Sequence, residues 1–91
     1  MKCSLSRLEP NDGAGISGAL IMTHLRETED GDIEEEYEFE SPTVGWHIMM
    51  QNLCYWYRTS PITEIVKTEE VGDETRVTFK TRNSVYLWRR S

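Results

Sequence analysis

The chain has 91 residues, of which 37% are hydrophobic, and it carries a formal net charge of −6. This length suffices for one small domain (1–91), but not for a second domain or for a cofactor domain with its own substrate pocket. No apolar run approaches the roughly eighteen residues of a transmembrane helix, and the first residues lack the apolar centre of a signal peptide. We therefore expect a soluble, cytoplasmic protein.

Charge is distributed unevenly along the chain. Residues 1–57 contain eleven acidic and three basic residues, a net charge of −8, whereas residues 58–91 contain five acidic and seven basic residues, a net charge of +2. Nine of the fourteen residues at 27–40 are acidic and none is basic. Either half could therefore bind opposite charge in a partner, in a second copy or in the other half of its own fold.

Turn-forming residues dominate the N-terminal segment. Pro10, the Asn-Asp-Gly triplet at 11–13 and Gly15 predict a flexible N-terminal arm over residues 1–15.

The next segment is predicted to form a hairpin. Residues 18–28 fit either a buried strand or a helix, because a short apolar run cannot be assigned by its periodicity alone. Asp30 and Gly31 form a hairpin signal, and the alternation at 33–40 is typical of a strand. We therefore place a β-hairpin over residues 17–40.

The middle of the chain has the pattern of a helix. Ser41 and Pro42 make a favourable helix start, and Pro61 would end it. Between them, apolar residues recur at spacings of three and four and predict a helix over residues 43–58 that packs one face on a sheet. These residues are Trp46, Met49, Met50, Leu53, Trp56 and Tyr57.

Three strands are predicted after the helix, at residues 62–68, 75–82 and 85–90, with turns at 72–73 and 83–84. The element order is then ββαβββ. We expect an α+β fold, with one helix packed on an antiparallel sheet.

Gly13, Gly15 and Gly18 match the pattern G-x-G-x-x-G. No apolar strand precedes Gly13, and the chain is too short for the repeated βαβ units of a dinucleotide site. We interpret the segment as a glycine-rich loop and expect no cofactor.

Cysteines and histidines form no recognisable catalytic or metal motif. On the predicted helix His47 and Cys54 would lie about 10 Å apart, too far for a nucleophile pair. A metal site would need His24 or Cys3 in addition, and the close ligand pairs of structural zinc sites are missing. We predict a core thiol at Cys54, a boundary histidine at His47 and two reduced cysteines, with no catalytic residue and no metal.

The C-terminal hairpin offers an alternative site. Its arginines could bind the phosphates of a single-stranded nucleic acid, and its aromatic residues could stack on the bases. The residues of this alternative site are Arg82, Tyr86, Trp88, Arg89 and Arg90. A small domain needs most of its aromatic residues in the core, and a net charge of −6 disfavours binding to phosphate.

A row of glutamates alternates along the predicted acidic strand at intervals of about 6.8 Å. Such a row resembles the charge spacing of a nucleic-acid backbone, although a solvated face that protects an edge strand is an equally good interpretation. Glu35 interrupts the opposite, apolar face. The glutamates of the row are Glu34, Glu36, Glu38 and Glu40, and the apolar residues are Ile33, Tyr37 and Phe39.

The small size, the acidic balance, the expected single α+β domain and the segment EEEYEFE resemble small phage-encoded inhibitor proteins, including anti-CRISPR proteins and other DNA mimics. The segment FKTRNSVYLW is also similar to the terminal hairpin of small phage proteins. The resemblance implies a non-enzymatic inhibitor that occludes a basic nucleic-acid-binding surface on a bacterial host defence complex or nucleic-acid enzyme, in the host cytoplasm.

We predict a non-enzymatic interaction protein that binds a basic protein surface through its acidic segment. The alternatives are the single-strand binder described above, a small enzyme, and a homodimer in which the acidic hairpin of one copy docks on the basic hairpin of another. The predicted contact residues are Glu29, Asp30, Asp32, Glu34, Glu36, Glu38 and Glu40.

Overall fold

Nine β-strands make up the protein in a computed structural model that describes residues 3–91. Two antiparallel sheets result, and residues 3–91 contain no helix. The strands are β1 (Cys3–Glu9), β2 (Gly15–Ala19), β3 (Ile21–Glu27), β4 (Ile33–Tyr37), β5 (His47–Gln51), β6 (Trp56–Arg58), β7 (Ile62–Val71), β8 (Glu74–Thr81) and β9 (Val85–Arg90). One sheet has the order β2-β1-β9-β8-β7, and the other has the order β4-β3-β5-β6.

Alternating side chains from both sheets build one hydrophobic core. Val77 and Phe79 of β8 and Trp88 of β9 are buried from the first sheet, and Ile48 and Met50 of β5 are buried from the second. Their two-residue spacing is that of strands with one buried face.

Polar and aromatic contacts also join the sheets. The hydroxyl groups of Tyr57 and Tyr86 lie 2.8 Å apart in a hydrogen bond. The chain passes from the first sheet to the second through Leu20 alone, between β2 and β3. The start of β3, from which the acidic segment continues, is therefore tied closely to the core.

The predicted helix at 43–58 is wrong, and with it the α+β fold class. Those residues contain β5 and β6, joined by a tight turn. The Asn52 N–H donates to the Tyr55 carbonyl oxygen at 2.9 Å, and the Asn52 Oδ1 accepts the Cys54 N–H at 2.9 Å. Leu53, which the helix would have buried, is 91% exposed.

Two periodicities compete in that segment. Ile48 and Met50 are buried with a spacing of two, and the neighbouring Met49 is only half-buried. An apolar run this dense matches a helix template and a strand template equally well. The turn chemistry of Asn52, whose side chain bonds the backbone two residues on, decides between them.

The predicted flexible arm at 1–15 is also wrong for the part that the structure describes. Residues 3–9 form β1, which lies between β2 and β9, and both Cys3 and Leu5 are buried. The turn-forming residues mark only the connection at 10–14. Residues 1 and 2 of the predicted arm lie outside the described residues.

Other predicted elements are confirmed. The three C-terminal strands occur as β7, β8 and β9, and the ambiguous segment 18–28 contains strand β3. Asp30 and Gly31 lie in the turn between β3 and β4, as predicted. The acidic strand, however, ends at Tyr37 and not at Glu40.

Gly15 of β2 lies close to the backbone of Leu5 and Ser6 in β1. Its φ is +143°, and a Cβ atom there would lie 2.1 Å from the Leu5 carbonyl oxygen. We expect Gly15→Ala to lower the free energy of unfolding by about 3 kcal/mol, because the backbone of one strand must shift. Gly13→Ala, with no atom within 4 Å of the new Cβ, should cost only about 1 kcal/mol. Urea unfolding followed by tryptophan fluorescence compares the two, and equal losses would contradict this account.

His24 is a buried titratable residue of the core. Its side chain is 1% exposed, and its ring stacks on Phe39 with the centroids 3.7 Å apart. Within the described residues its Nε2 atom has no hydrogen-bond partner. Burial lowers the pKa of His24 from 6.5 to about 4, because an imidazolium ion would lose its hydration there.

Acid should therefore destabilise the fold through His24. Between pH 6.5 and pH 4 the unfolded chain binds a proton at this residue and the folded chain does not. The stability from neutral His24 is complete above pH 6.5 and falls by up to about 3 kcal/mol towards pH 4. We expect His24→Phe, which keeps a ring against Phe39, to show a smaller loss in urea titrations across this range. An identical pH dependence in both proteins would refute this.

Candidate interaction site

Strand β4 is the exposed edge of the second sheet. It pairs with β3 through five consecutive residue pairs, and no strand among residues 3–91 pairs with its other side. Together with β3 and the loop between them it forms what we call the acidic hairpin (residues 21–37). All five residues of β4 are exposed, including Ile33 at 60% and Tyr37 at 65%. The predicted apolar face of this strand is therefore open to solvent at Ile33 and Tyr37.

Backbone hydrogen bonds fix the loop at the tip of the acidic hairpin. The Thr28 N–H donates to the Asp32 carbonyl oxygen at 2.8 Å, and the Gly31 N–H donates to the Thr28 carbonyl oxygen at 3.0 Å. The Thr28 Oγ1 accepts the Asp32 N–H at 3.2 Å. Gly31 has φ +84°, which glycine adopts without strain. Glu29 and Asp30 are exposed on this ordered turn.

One face of β4 carries Glu34 and Glu36. They lie opposite Arg26 and His24 of β3, and directly opposite residues share a face of the sheet. An Arg26 Nη2 atom donates to the Glu34 Oε2 atom at 2.6 Å. The predicted row thus begins as expected.

The row does not continue beyond the strand. Glu38 has a left-handed φ of 50°, and its N–H donates to the Met22 carbonyl oxygen at 2.8 Å. Phe39 then turns inward and is buried, while Glu40 is exposed beyond it. The prediction of one row of four glutamates is wrong, although all seven predicted contact residues are exposed.

The other face of β4 carries Ile33, Glu35 and Tyr37. The Tyr37 hydroxyl donates to the Glu35 Oε2 atom at 2.6 Å, and this hydrogen bond raises the pKa of Tyr37. Glu35 was absent from the predicted contact residues. Three consecutive glutamates in a strand place carboxylates on both faces, and this sequence signal identifies Glu35. The strand is acidic on both sides.

Aromatic contacts anchor the acidic hairpin where it leaves the core. The Phe39 ring stacks on His24 and lies 5.7 Å from the Trp88 ring, centroid to centroid. The Arg26 guanidinium carbon lies 4.5 Å from the centroid of the Trp46 ring, a favourable cation–π geometry. The base of the hairpin is held firmly, while its outer strand is open to solvent.

The aromatic residues of the alternative nucleic-acid site on the C-terminal hairpin are not accessible for stacking. Tyr86 and Trp88 are buried in the core and cannot stack on a base. Arg89 lies 3.9 Å from Glu74 in an ion pair, and Arg90 is half-buried.

Of the five residues predicted for that site, Arg82 alone is exposed. Arg90 has an Nη1 atom that donates to the Phe39 carbonyl oxygen at 3.4 Å. Lys80 and Arg82 of the C-terminal hairpin remain exposed and could meet the acidic hairpin of a second copy.

The residues considered for catalysis or metal binding are not brought together. Cys54 is exposed in the turn after β5, so its prediction as a core thiol is wrong, and burial raises the pKa of the Cys3 thiol. Both cysteines are free. His47 is half-buried, and its Nδ1 atom lies 3.1 Å from the Thr59 carbonyl oxygen.

Neither a metal cluster nor a membrane-spanning helix occurs in the described part of the chain. No group of three or more His, Cys, Asp or Glu side chains in residues 3–91 is arranged to hold a metal ion. The same residues include no helix with the length and hydropathy that crossing a membrane requires. The glycine pattern at 13–18 covers the end of a loop and the start of β2, with no helix after it.

No protein-family model, no curated protein and no solved structure matches this chain. The resemblance to phage-encoded inhibitors and anti-CRISPR proteins therefore has no support from relatives, and its expected α+β fold is wrong. The geometry of the acidic hairpin remains the basis for any functional argument.

Proposed function

We propose that this is a non-enzymatic interaction protein whose acidic hairpin binds a basic surface on another protein, a surface that nucleic acid also contacts. One observation carries the proposal: β4 is an edge strand with all five residues exposed and with carboxylates on both faces. The mechanism is steric and electrostatic competition with nucleic acid.

Charge within the acidic hairpin is poorly compensated. Arg26 pairs with Glu34 and is the one basic residue of the sequence at 21–37, which contains seven acidic residues. Crowded charges of one sign repel each other and lower the stability of the compact state. A basic partner surface would attract these carboxylates, which would offset their mutual repulsion and speed association.

Exposed apolar side chains distinguish a binding surface from a purely solvating one. A solvating face explains the glutamates of β4 but not the exposure of Ile33 and Tyr37 on the same strand. Tyrosine in particular is enriched at protein interfaces, where its ring is buried and its hydroxyl group can still form hydrogen bonds. The combination of acidic and apolar groups supports a protein partner.

Competition with nucleic acid follows from the kind of surface that the acidic hairpin would bind. Proteins bind nucleic acid largely through clusters of Lys and Arg that neutralise phosphates. Glu34 and Glu36 present carboxylates on one side of β4 and Glu35 presents one on the other. Such a strand can occupy a basic groove and contact both of its walls.

Charge reversal tests the proposal. We expect the triple change Glu34→Lys, Glu35→Lys and Glu36→Lys to abolish retention of basic proteins from a bacterial lysate by the immobilised chain. These side chains are exposed and lie outside the core, so the fold should persist. On the wild-type protein, added double-stranded DNA should displace the retained proteins.

A matched control lies on the opposite sheet. Three acidic residues are also exposed there, in β7 and the turn after it, and their change to Lys alters the net charge by the same amount. They are Glu64, Glu70 and Asp73. This variant should retain the same proteins as the wild type. Retention by the β4 variant equal to that of the control would refute the proposal, and so would complete insensitivity to DNA.

A further inference from the structure

We propose that the partner adds an extended strand to the open edge of β4, and that this strand carries Lys or Arg at alternate positions. This inference rests on the proposed function and specifies how the acidic hairpin is bound. Backbone hydrogen bonds would supply the register, and charge would select the partner.

Two hydrogen bonds show which residue pairs of β3 and β4 are the hydrogen-bonded pairs of the ladder. At one end the Thr28 N–H donates to the Asp32 carbonyl oxygen, and at the other the Glu38 N–H donates to the Met22 carbonyl oxygen, both at 2.8 Å. Five residue pairs lie between these ends without a shift of register. Hydrogen-bonded and non-hydrogen-bonded pairs alternate in an antiparallel ladder, so every second pair between these ends is also hydrogen-bonded.

The backbone groups of β4 divide accordingly. Glu34 and Glu36 direct their N–H and C=O groups towards β3, as do the even-numbered Asp32 and Glu38 with the groups that form the two end hydrogen bonds. The N–H and C=O groups of the odd-numbered residues point away from β3 to the open edge. The open edge therefore offers three donors and three acceptors, from Ile33, Glu35 and Tyr37.

The other edge strands are less suited to strand addition. The register of β7 against β8 shifts at two places, and that of β2 against β1 shifts once. Strand β6 has only three residues. Irregularity and shortness are common ways of blocking pairing at an edge, and β4 has neither.

The charge of β4 selects among strands that could pair with it. A second copy of β4 would place glutamates opposite glutamates, which destabilises pairing. A strand with Lys or Arg at alternate positions would instead place its cations on the face of Glu34 and Glu36, and its other side chains on the face of Ile33, Glu35 and Tyr37. Within residues 3–91 the Glu36 carboxylate has no hydrogen bond or ion pair, whereas the carboxylates of Glu34 and Glu35 each accept a hydrogen bond. Glu36 is therefore the carboxylate most ready to receive a cation.

Two peptides separate strand addition from simple charge attraction. The first probe is a short peptide of alternating lysine and valine, and the second is the same peptide with every backbone nitrogen methylated. They carry equal charge, but only the first can donate backbone hydrogen bonds. Titration of the wild-type protein should show binding at least about tenfold weaker for the methylated peptide, since several backbone hydrogen bonds are lost.

Variants at Glu35 test the same edge from the side of the protein. Glu35→Pro removes an outward N–H and a carboxylate, and proline is tolerated at edge positions whose N–H faces solvent. Glu35→Thr removes the carboxylate alone. We expect the proline variant to bind the first peptide about tenfold more weakly than the threonine variant.

The outcomes distinguish the two proposals. Equal affinity for both peptides would overturn strand addition and leave charge-based binding by the acidic hairpin standing. Binding of neither peptide would overturn both. A proline variant that binds as well as the threonine variant would also overturn strand addition, and the peptide comparison on wild-type protein stays decisive if that variant does not fold.

Discussion

The burial of Phe39 is the constraint on which the acidic hairpin depends. Phe39 stacks on His24 and contacts Trp88, and it lies two residues beyond the end of a strand whose residues are all exposed. Strand β4 contributes no buried side chain of its own. Its position is therefore set by hydrogen bonds to β3 and by Phe39 at its end, with Glu38 in a left-handed conformation between the two.

Favourable and unfavourable free-energy contributions oppose each other in the acidic hairpin. Full burial of a phenylalanine contributes roughly 2–3 kcal/mol, and the ladder to β3 adds backbone hydrogen bonds. Repulsion among the carboxylates and the exposure of Ile33 and Tyr37 oppose it. The chain stabilises a regular, acidic edge strand that adds nothing to the core. Local conflict of this kind is expected at sites selected for binding rather than for stability, which links the energetics of the hairpin to its proposed role.

The sequence predicted the fold best where local signals agreed. Alternating Val, Phe, Tyr and Trp residues mark β8 and β9, turn residues at 72–73 and 83–84 precede these strands, and both strands were found. The helix at 43–58 failed because its apolar residues fit two periods, and only the side chain of Asn52 favours the turn. Exposure of the acidic hairpin could be predicted from its charge. The end of β4 at Tyr37 and the left-handed conformation of Glu38 could not be predicted, because they depend on the contact of Phe39 with core residues distant in sequence.

Amide hydrogen exchange of the free protein, resolved by residue with NMR, tests the central claim that β4 is an ordered strand with an open outer edge. We expect slow exchange at Glu34, Glu36 and Glu38, whose N–H groups are directed to β3, and fast exchange at Ile33, Glu35 and Tyr37. Fast exchange at all six amides would mean that the acidic hairpin is not formed. Slow exchange at all six would mean that its outer edge is already covered, and either result would contradict the account.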